Sequence, residues 1–330
     1  MSDLGDEMRL LVTGGAGFIG SNFVRRVLQN ESSAISSIIV LDKLTYAGVR
    51  GNLSTLDNDP RFRFVMGDIR NQGLVIDLLA QSDAVINFAA ESHVDRSILN
   101  AADFVETNVL GVQVLLDAIR MSRRDIRFLQ VSTDEVYGSI EKGSWDENCP
   151  LLPNSPYAAS KAGGELLSRA YHRTHGLDVV ITRSSNNYGT HHFPEKLIPL
   201  FITNLLEGKK VTVYGKGKNI RDWLHVDDHC EGVYQALTKG KSGEVYNIGG
   251  GRELSNIEIT QFILAEMGSD MTSVEFVTDR KGHDFRYSMN WKKINEELGY
   301  LPKVKFEDGL RETIKWYREN ESWWKPLKAR

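Results

Sequence analysis

Arg9-Leu10-Leu11-Val12-Thr13-Gly14-Gly15-Ala16-Gly17-Phe18-Ile19-Gly20 is the stretch that decides the fold. A short apolar run reads as a buried strand, a glycine-rich turn follows, and Phe18–Gln29 then reads as a helix. The turn satisfies GxGxxG through Gly15, Gly17 and Gly20, and GxxGxxG through Gly14, Gly17 and Gly20. Glycine permits the tight turn and lets backbone approach a pyrophosphate. The helix beginning at Phe18 offers free N–H groups and the positive end of its dipole, which places Gly14, Gly17, Phe18, Ile19 and Gly20 around an anion. Such a fingerprint alone is weak, but between a strand and a helix it predicts a dinucleotide site.

Outward from that unit the pattern repeats. Strands are expected at 37–42, Phe62–Met66, 84–88, 127–132 and 178–183, with helices at 103–121 and Pro156–His175. Alternation of short β-rich runs with helical stretches predicts α/β class, a Rossmann-type doubly wound parallel sheet. After Arg183 the stretch SSNNYGTHHFPEKLIP is polar and turn-rich. Helices near 195–207, 226–238, Asn256–Glu266 and 306–318, with short strands near 211–213 and Val245–Ile248, predict a smaller, discontinuous α/β lobe. The expected division is 8–183 plus about 223–248 for the dinucleotide domain, and about 184–222 plus 249–330 for the second, substrate-binding lobe.

Bulk properties narrow the class. The formal net charge of -4 gives no pull toward nucleic acid or anionic membrane. No apolar run is long enough to span a bilayer, and MSDLGDEM lacks an apolar signal core. Cys149 and Cys230 lie far apart and suggest neither a disulfide framework nor a thiol metal site, so a reducing cytoplasm is expected.

Asp42 closes the second strand about twenty residues past the glycines, where an acid holds the ribose hydroxyls of NAD and repels the extra phosphate of NADP. Asp68-Ile69, after the third strand, is placed to cap the adenine. Asn87-Phe88-Ala89-Ala90 ends the fourth strand in small residues, and Ala89 leaves room for the cofactor ribose. Tyr157 and Lys161 form a YxxxK pair behind Ser155-Pro156, a helix start with Ser155 at the N-cap. Residues four apart share a helix face, so Lys161 is expected to lower the Tyr157 phenol and make it a general base. Thr133-Asp134-Glu135 follows the fifth strand. Thr133 can bond the same substrate hydroxyl as Tyr157. Two adjacent carboxyls in a cleft can be driven apart into one acid and one base, the combination that elimination of water requires. An Asp-Glu pair after a strand is also the composition of an ordinary solvated turn.

The segments TGGAGFIGS, AAESHVDRSI, STDEVYG, SPYAASKAG, SNNYG, FPEKLIP, IRDWLHVDDH, YNIGGG and RKGHDFRY resemble, in order and spacing, those of the dTDP-glucose 4,6-dehydratases of the extended short-chain dehydrogenase/reductase superfamily. The likeness runs from about Arg9 to Tyr287. It implies that Tyr157 takes the C4 hydroxyl proton while hydride passes to NAD. Lys161 would support Tyr157 and hold the nicotinamide ribose. Glu135 would remove the C5 proton, and Asp134 would protonate the departing C6 hydroxyl. It further implies that Ser92, His93, Asn187, Lys196, Arg221, Asn256, Arg280, His283 and Tyr287 bind a nucleotide-sugar substrate, and that the chain forms a homodimer through helices 103–121 and Pro156–His175. Three positions depart from the family pattern: Thr190 and Lys281 stand where proline is usual, and Phe285 where arginine is usual.

Two other functions fit parts of this set. A hexose 4-epimerase would share the glycines, Tyr157 and Lys161 without needing Asp134 and Glu135. A non-catalytic NAD sensor would need none of the proton-transfer groups. No metal site is expected: His225 and His229 bracket Asp227 and Asp228 as a helix start with acids in its first turn, and His191-His192 lack a third ligand. Trp323-Trp324 are expected to anchor the C-terminal tail. Asp95 and Arg96 fit a structural ion pair or the wall of the cleft.

Overall fold

The computed structural model describes residues 8–279 and 282–329. Seven strands form one wholly parallel sheet: β1 (Met8–Thr13), β2 (Ile35–Asp42), β3 (Phe62–Met66), β4 (Ala84–Asn87), β5 (Arg127–Thr133), β6 (Val179–Ser184) and β10 (Val245–Ile248). Their spatial order is β3-β2-β1-β4-β5-β6-β10. Parallel strands covered on both faces must be apolar on both. Leu10 and Val12 of β1 accordingly join the core on one face, while Leu11 between them joins the core on the other. The first core is closed by α1 (Phe18–Gln29) through Phe23, Val24 and Val27, the second through α2 (Gln72–Leu79).

The strand order reverses between β1 and β4, and a crevice opens there beyond their carboxyl ends. After β4 come α3 (Val94–Leu99), α4 (Ala102–Val105), a π-type turn over Glu106–Leu110, and α5 (Gly111–Ser122). The sequence predicted one helix over 103–121; the structure inserts the wide turn. That turn buries Asn108, which bonds the backbone N–H and carbonyl of Glu91, each at 2.9 Å, and the Ser160 hydroxyl at 2.8 Å. A Cβ at Gly164 would lie 2.3 Å from the Asn108 carbonyl oxygen, so only glycine lets α6 (Pro156–His175) come this close. The start of α6 is as expected, with Ser155 Oγ accepting from Ala158 N–H at 3.1 Å.

Beyond β6 the remaining elements are β7 (Asn186–Tyr188), α7 (Leu197–Leu206), β8 (Val211–Tyr214), β9 (Ile220–His225), α8 (Val226–Lys239), β11 (Glu253–Ser255), α9 (Asn256–Glu266), β12 (Val274–Val277), α10 (Lys292–Leu298), α11 (Phe306–Glu319) and α12 (Glu321–Lys328). Two small sheets, β11-β9-β7 and β12-β8, stand apart from the large one. A separate apolar core joins Ile198 and Phe201 of α7, Ile259 and Ile263 of α9, Leu310 and Ile314 of α11, and Trp324. Helix α8 returns to the large sheet, where Val233, Ala236 and Leu237 are buried. So does α10: Ile294 and Leu298, with Tyr300, lie in the same core as β1, although 249–330 was expected wholly in the smaller lobe. His225 caps α8 by accepting from Asp227 N–H, the helix start predicted from sequence.

Candidate active site

One cleft of about 480 Å³ runs from the glycine turn to the small lobe. The turn is built for close approach. Gly14 has φ +68°, and a Cβ there would lie 2.5 Å from Ala89 N. A Cβ at Gly20 would strike the Gly14 carbonyl oxygen at 2.5 Å. At Gly17 the space is open to the cleft: a Cβ would meet only that same carbonyl oxygen, at 3.3 Å. Gly17 is the N-cap of α1 and no side chain caps it, which leaves the helix N–H groups facing the cleft. Asp42, at the end of β2, accepts from Ala16 N–H at 2.9 Å and Leu44 N–H at 2.8 Å. Burial pushes its carboxyl up, and those two N–H groups act against the shift. Asp68 is ion-paired with Lys43 and Arg70, both at 2.9 Å. Burial opposes its ionisation, but Arg70 and then Lys43 hold it below the usual carboxylate range. Phe18, Ile19, Ile69 and Ala89 complete this end. An uncapped helix start, close-packed glycines and an acid at the end of β2 fit NAD.

At the centre, β5 delivers Thr133, Asp134 and Glu135 to the same wall as Tyr157 and Lys161 of α6. Thr133 Oγ1 donates to Asp134 Oδ1 at 3.1 Å. Asp134 is 3% exposed, and its Oδ2 is buried without a hydrogen-bond partner. Burial raises this carboxyl well above its ordinary range, the charge of Glu135 adds to the rise, and Arg221 opposes it. A carboxyl shifted in that direction favours its protonated form, the form able to donate. Glu135 beside it is less buried and faces the cleft.

Tyr157 differs from its expectation. Burial pushes its phenol up, Glu135 adds to this, and the hydrogen bond with Thr133 acts the other way. Lys161 does not supply the expected lowering. Its ammonium is 5% exposed and donates to the Val131 carbonyl at 2.7 Å. Burial brings Lys161 down to about 8, with Glu165 opposing. Without a bound cation, the chain alone keeps Tyr157 protonated.

At the far end, Ser92, His93, Asn187, Lys196, Arg221, Asn256 and His283 line the cleft. Lys196 Nζ donates to the Ser92 carbonyl at 2.8 Å. Asn187 Oδ1 meets His229 Nδ1 at 2.9 Å, so His229 positions a site residue. Arg221 is held rigid: it donates to the Ile220 carbonyl at 2.7 Å and the Asp284 carbonyl at 2.9 Å, and it stacks on Tyr287 at 4.2 Å. Tyr287 is not in the cleft wall; it is buried, donates to Asp284 Oδ2 at 2.6 Å and supports Arg221 from behind. Arg280 and Lys281 lie outside the described residues. Sequence reasoning missed Glu91, His192 and Glu195, all in the wall. No local spacing marks them, because each reaches the cleft from an irregular connection. Arg96 stacks on Tyr46 at 3.7 Å and pairs with Glu195 at 3.6 Å, which makes it part of the structure behind this wall. Among the described residues no group of three or more His, Cys, Asp or Glu could hold a metal ion.

Comparison with known proteins gives the same picture. A sequence model of the family described as GDP-mannose 4,6 dehydratase matches residues 11–313. A dTDP-glucose 4,6-dehydratase of an Actinoplanes species is 57% identical over 320 residues, spanning 96% of this chain and 100% of the relative. The crystal structure of DesIV, a dTDP-glucose 4,6-dehydratase from Streptomyces venezuelae solved with NAD and dTDP bound, superposes with a TM-score of 0.95 at 59% identity and covers 97% of this chain and 100% of that one. A UDP-glucuronic acid 4-epimerase from Bacillus cereus shares the fold at a TM-score of 0.88 but only 30% identity, over 94% of this chain and 99% of that one.

Proposed function

This chain belongs to the GDP-mannose 4,6 dehydratase family, among its dTDP-glucose 4,6-dehydratases, and from that premise we infer its activity: NAD-dependent conversion of dTDP-glucose to dTDP-4-keto-6-deoxyglucose and water. Gly14, Gly17, Phe18, Ile19 and Gly20 hold the pyrophosphate of NAD, Asp42 holds its ribose hydroxyls, Asp68 and Ile69 face the adenine, and Ala89, Tyr157 and Lys161 face the nicotinamide ribose. Bound NAD supplies the hydride acceptor for C4 and, once reduced, the hydride donor for C6, so it ends each cycle as it began. Tyr157, whose phenolate the positive charge of bound, oxidised nicotinamide would favour, takes the proton of the C4 hydroxyl, with Thr133 bonded to the same oxygen. Oxidation at C4 makes the C5 proton acidic, and Glu135 removes it. Asp134 gives its proton to the departing C6 hydroxyl, water leaves, and a proton returns to C5 as C6 takes hydride. Ser92, His93, Asn187, Lys196, Arg221, Asn256, Arg280 and His283 bind the nucleotide diphosphate and sugar. Tyr287 acts through Arg221.

The observation that carries this reading is Asp134, buried with an unpartnered Oδ2 and shifted toward its protonated form, in one cleft with Glu135 and Tyr157. A 4-epimerase has no leaving hydroxyl to protonate and would gain nothing from a buried acid. Mass spectrometry of reactions with dTDP-glucose and with UDP-glucose tests it. The expected product of dTDP-glucose is lighter by one water. A product of unchanged mass with inverted C4 would instead mark an epimerase, and no turnover of either sugar nucleotide would favour the sensor.

A homodimer is also proposed, built on the helical stretch 103–121 and on α6. Val105, Leu110 and Leu166 are about half-exposed on these elements, an apolar face that suits a second copy. Light scattering showing only monomer at working concentration would reject it. The cytoplasm is the proposed compartment: Cys149 and Cys230 are free thiols, and no described helix is long and apolar enough to cross a membrane. The proposed functional division follows the sequence boundaries except at α10, which sides with the NAD-binding part.

A further inference from the structure

Two short motifs take no part in the chemistry above, His191-His192 and Trp323-Trp324. The fold connects residues of both motifs to the glycine turn. The Trp323 indole N–H donates to Asn52 Oδ1 at 2.8 Å. Asn52, only 3% exposed, donates in turn from Nδ2 to the Ala16 carbonyl at 3.1 Å. Ala16 sits in the middle of the turn, and its own N–H donates to Asp42 Oδ2. A second set of contacts runs parallel. Trp316 and Trp323 lie against the His191 ring, with centroids 4.3 and 5.7 Å away. The Tyr317 hydroxyl donates to the His192 carbonyl. The His192 ring stacks on Phe18, the first residue of α1, at 4.0 Å and 9°. Both sets start in the last two helices and end on the turn.

We propose that Trp323, acting through Asn52, is a positioning residue for the cofactor: the C-terminal helix α12 holds the glycine turn in the shape that retains NAD between the two hydride transfers. The proposal rests on the reading that this cleft holds NAD. The Ala16 carbonyl accepts from Val49 N–H at 3.0 Å and from Asn52, so loss of Asn52 leaves it tethered from one side only. Because Ala16 is also bonded to Asp42, movement there disturbs the turn and the ribose ligand together. Retention matters more here than in an enzyme that exchanges its cofactor every cycle. Hydride taken from C4 must return to C6 of the same sugar, and a reduced cofactor that escapes leaves the sugar stranded.

Trp323→Phe keeps an aromatic side chain but removes the N–H donor and part of the indole's volume, a loss that a Trp324→Phe control matches. Bound NAD would be quantified at timed intervals after dilution of the purified protein. The variant is expected to release NAD about fivefold faster, the scale of one net hydrogen bond, and activity lost on dilution should return when NAD is added. Trp324→Phe is the matched control. Its indole N–H donates to the Tyr317 carbonyl at 2.8 Å within the helix pair, so its loss should lower Tm yet leave NAD release at the parental rate. Equal release rates in Trp323→Phe and the parent overturn the proposal, as does equal acceleration in both variants, since the tail would then act only on stability. If Trp323→Phe does not fold, Asn52→Ser carries the same expectation. If both fold, the double variant should release NAD no faster than the faster single one, and additive effects overturn the relay. A parent protein that retains no NAD on any timescale rejects the cofactor reading and the relay with it, an outcome distinct from retention that Trp323→Phe leaves unchanged.

Discussion

The two ends of the cleft are built on opposite principles. At the reaction end, Asp134, Tyr157 and Lys161 are nearly shut from water, and burial moves each one toward its neutral form. At the nucleotide end, Arg221 is equally buried but is pinned by carbonyl oxygens and an aromatic face. The first end works by proton position and the second by donor geometry. A change at one should therefore appear in kcat and pH dependence, and a change at the other in KM.

The sharpest way to break that contrast is Tyr157→Phe, which removes the phenol proposed to take the C4 hydroxyl proton. Steady-state kinetics should show kcat reduced by about 10³-fold to 10⁴-fold with KM nearly unchanged. A loss confined to KM would place Tyr157 with the binding groups instead. Next, Glu135→Gln keeps shape and removes the base. Water loss should slow by about 10²-fold to 10³-fold while reduced cofactor accumulates in a single turnover, followed by absorbance. A variant that dehydrates at the parental rate would mean that another group takes the C5 proton. Arg221→Lys keeps the charge and loses the planar fork. It should raise KM about tenfold and leave kcat within a factor of about two. The smallest effect is that of pH. Burial brings Lys161 down to about 8 in the folded chain, so activity should fall about twofold by that pH as the ammonium proposed to hold the nicotinamide ribose is lost. For stability the sign is reversed. The folded value lies below the unfolded one, so burying the charged amine costs stability at neutral pH, and this cost is relieved as pH rises from about 8 toward the ordinary lysine range. Flat stability over that window, measured by denaturant titration, would show that Lys161 is not desolvated.

The shared wall of the proposed reaction residues was legible in the sequence because they sit at strand ends or on one helix face. Thr133 closes β5, and Tyr157 and Lys161 are one helical turn apart, so local periodicity was enough, as it was at the glycine-turn end for Asp42, which closes β2. The bounds of α1 and α6 were legible for the same reason, each having a distinct start and stop. The π-type turn before α5 was not legible, because the apolar repeat on either side of it continues in nearly the same phase. The nucleotide end owes its shape to pairings with no local trace. Strand β9 reads IRDWLH, too polar to announce a buried strand, and forms because β7 and β11 lie on either side of it. The behaviour of Tyr157 was misjudged for a related reason. Spacing gives the distance to Lys161 along the helix, but not that the ammonium bonds to Val131. Thr190, one of the departures from the family pattern, offers its carbonyl to Asn22 Nδ2 at 3.1 Å. Phe285 is half-exposed, and nothing in the structure explains its place.

The backbone leaves the large sheet after β6, comes back for α8 and β10, departs again, returns once more for α10, and departs finally for α11 and α12. No single cut can separate the two halves. Grafting a different sugar pocket onto this scaffold would require exchanging several separate segments at once, and a protease clip in any one crossing should leave two fragments still clasped together.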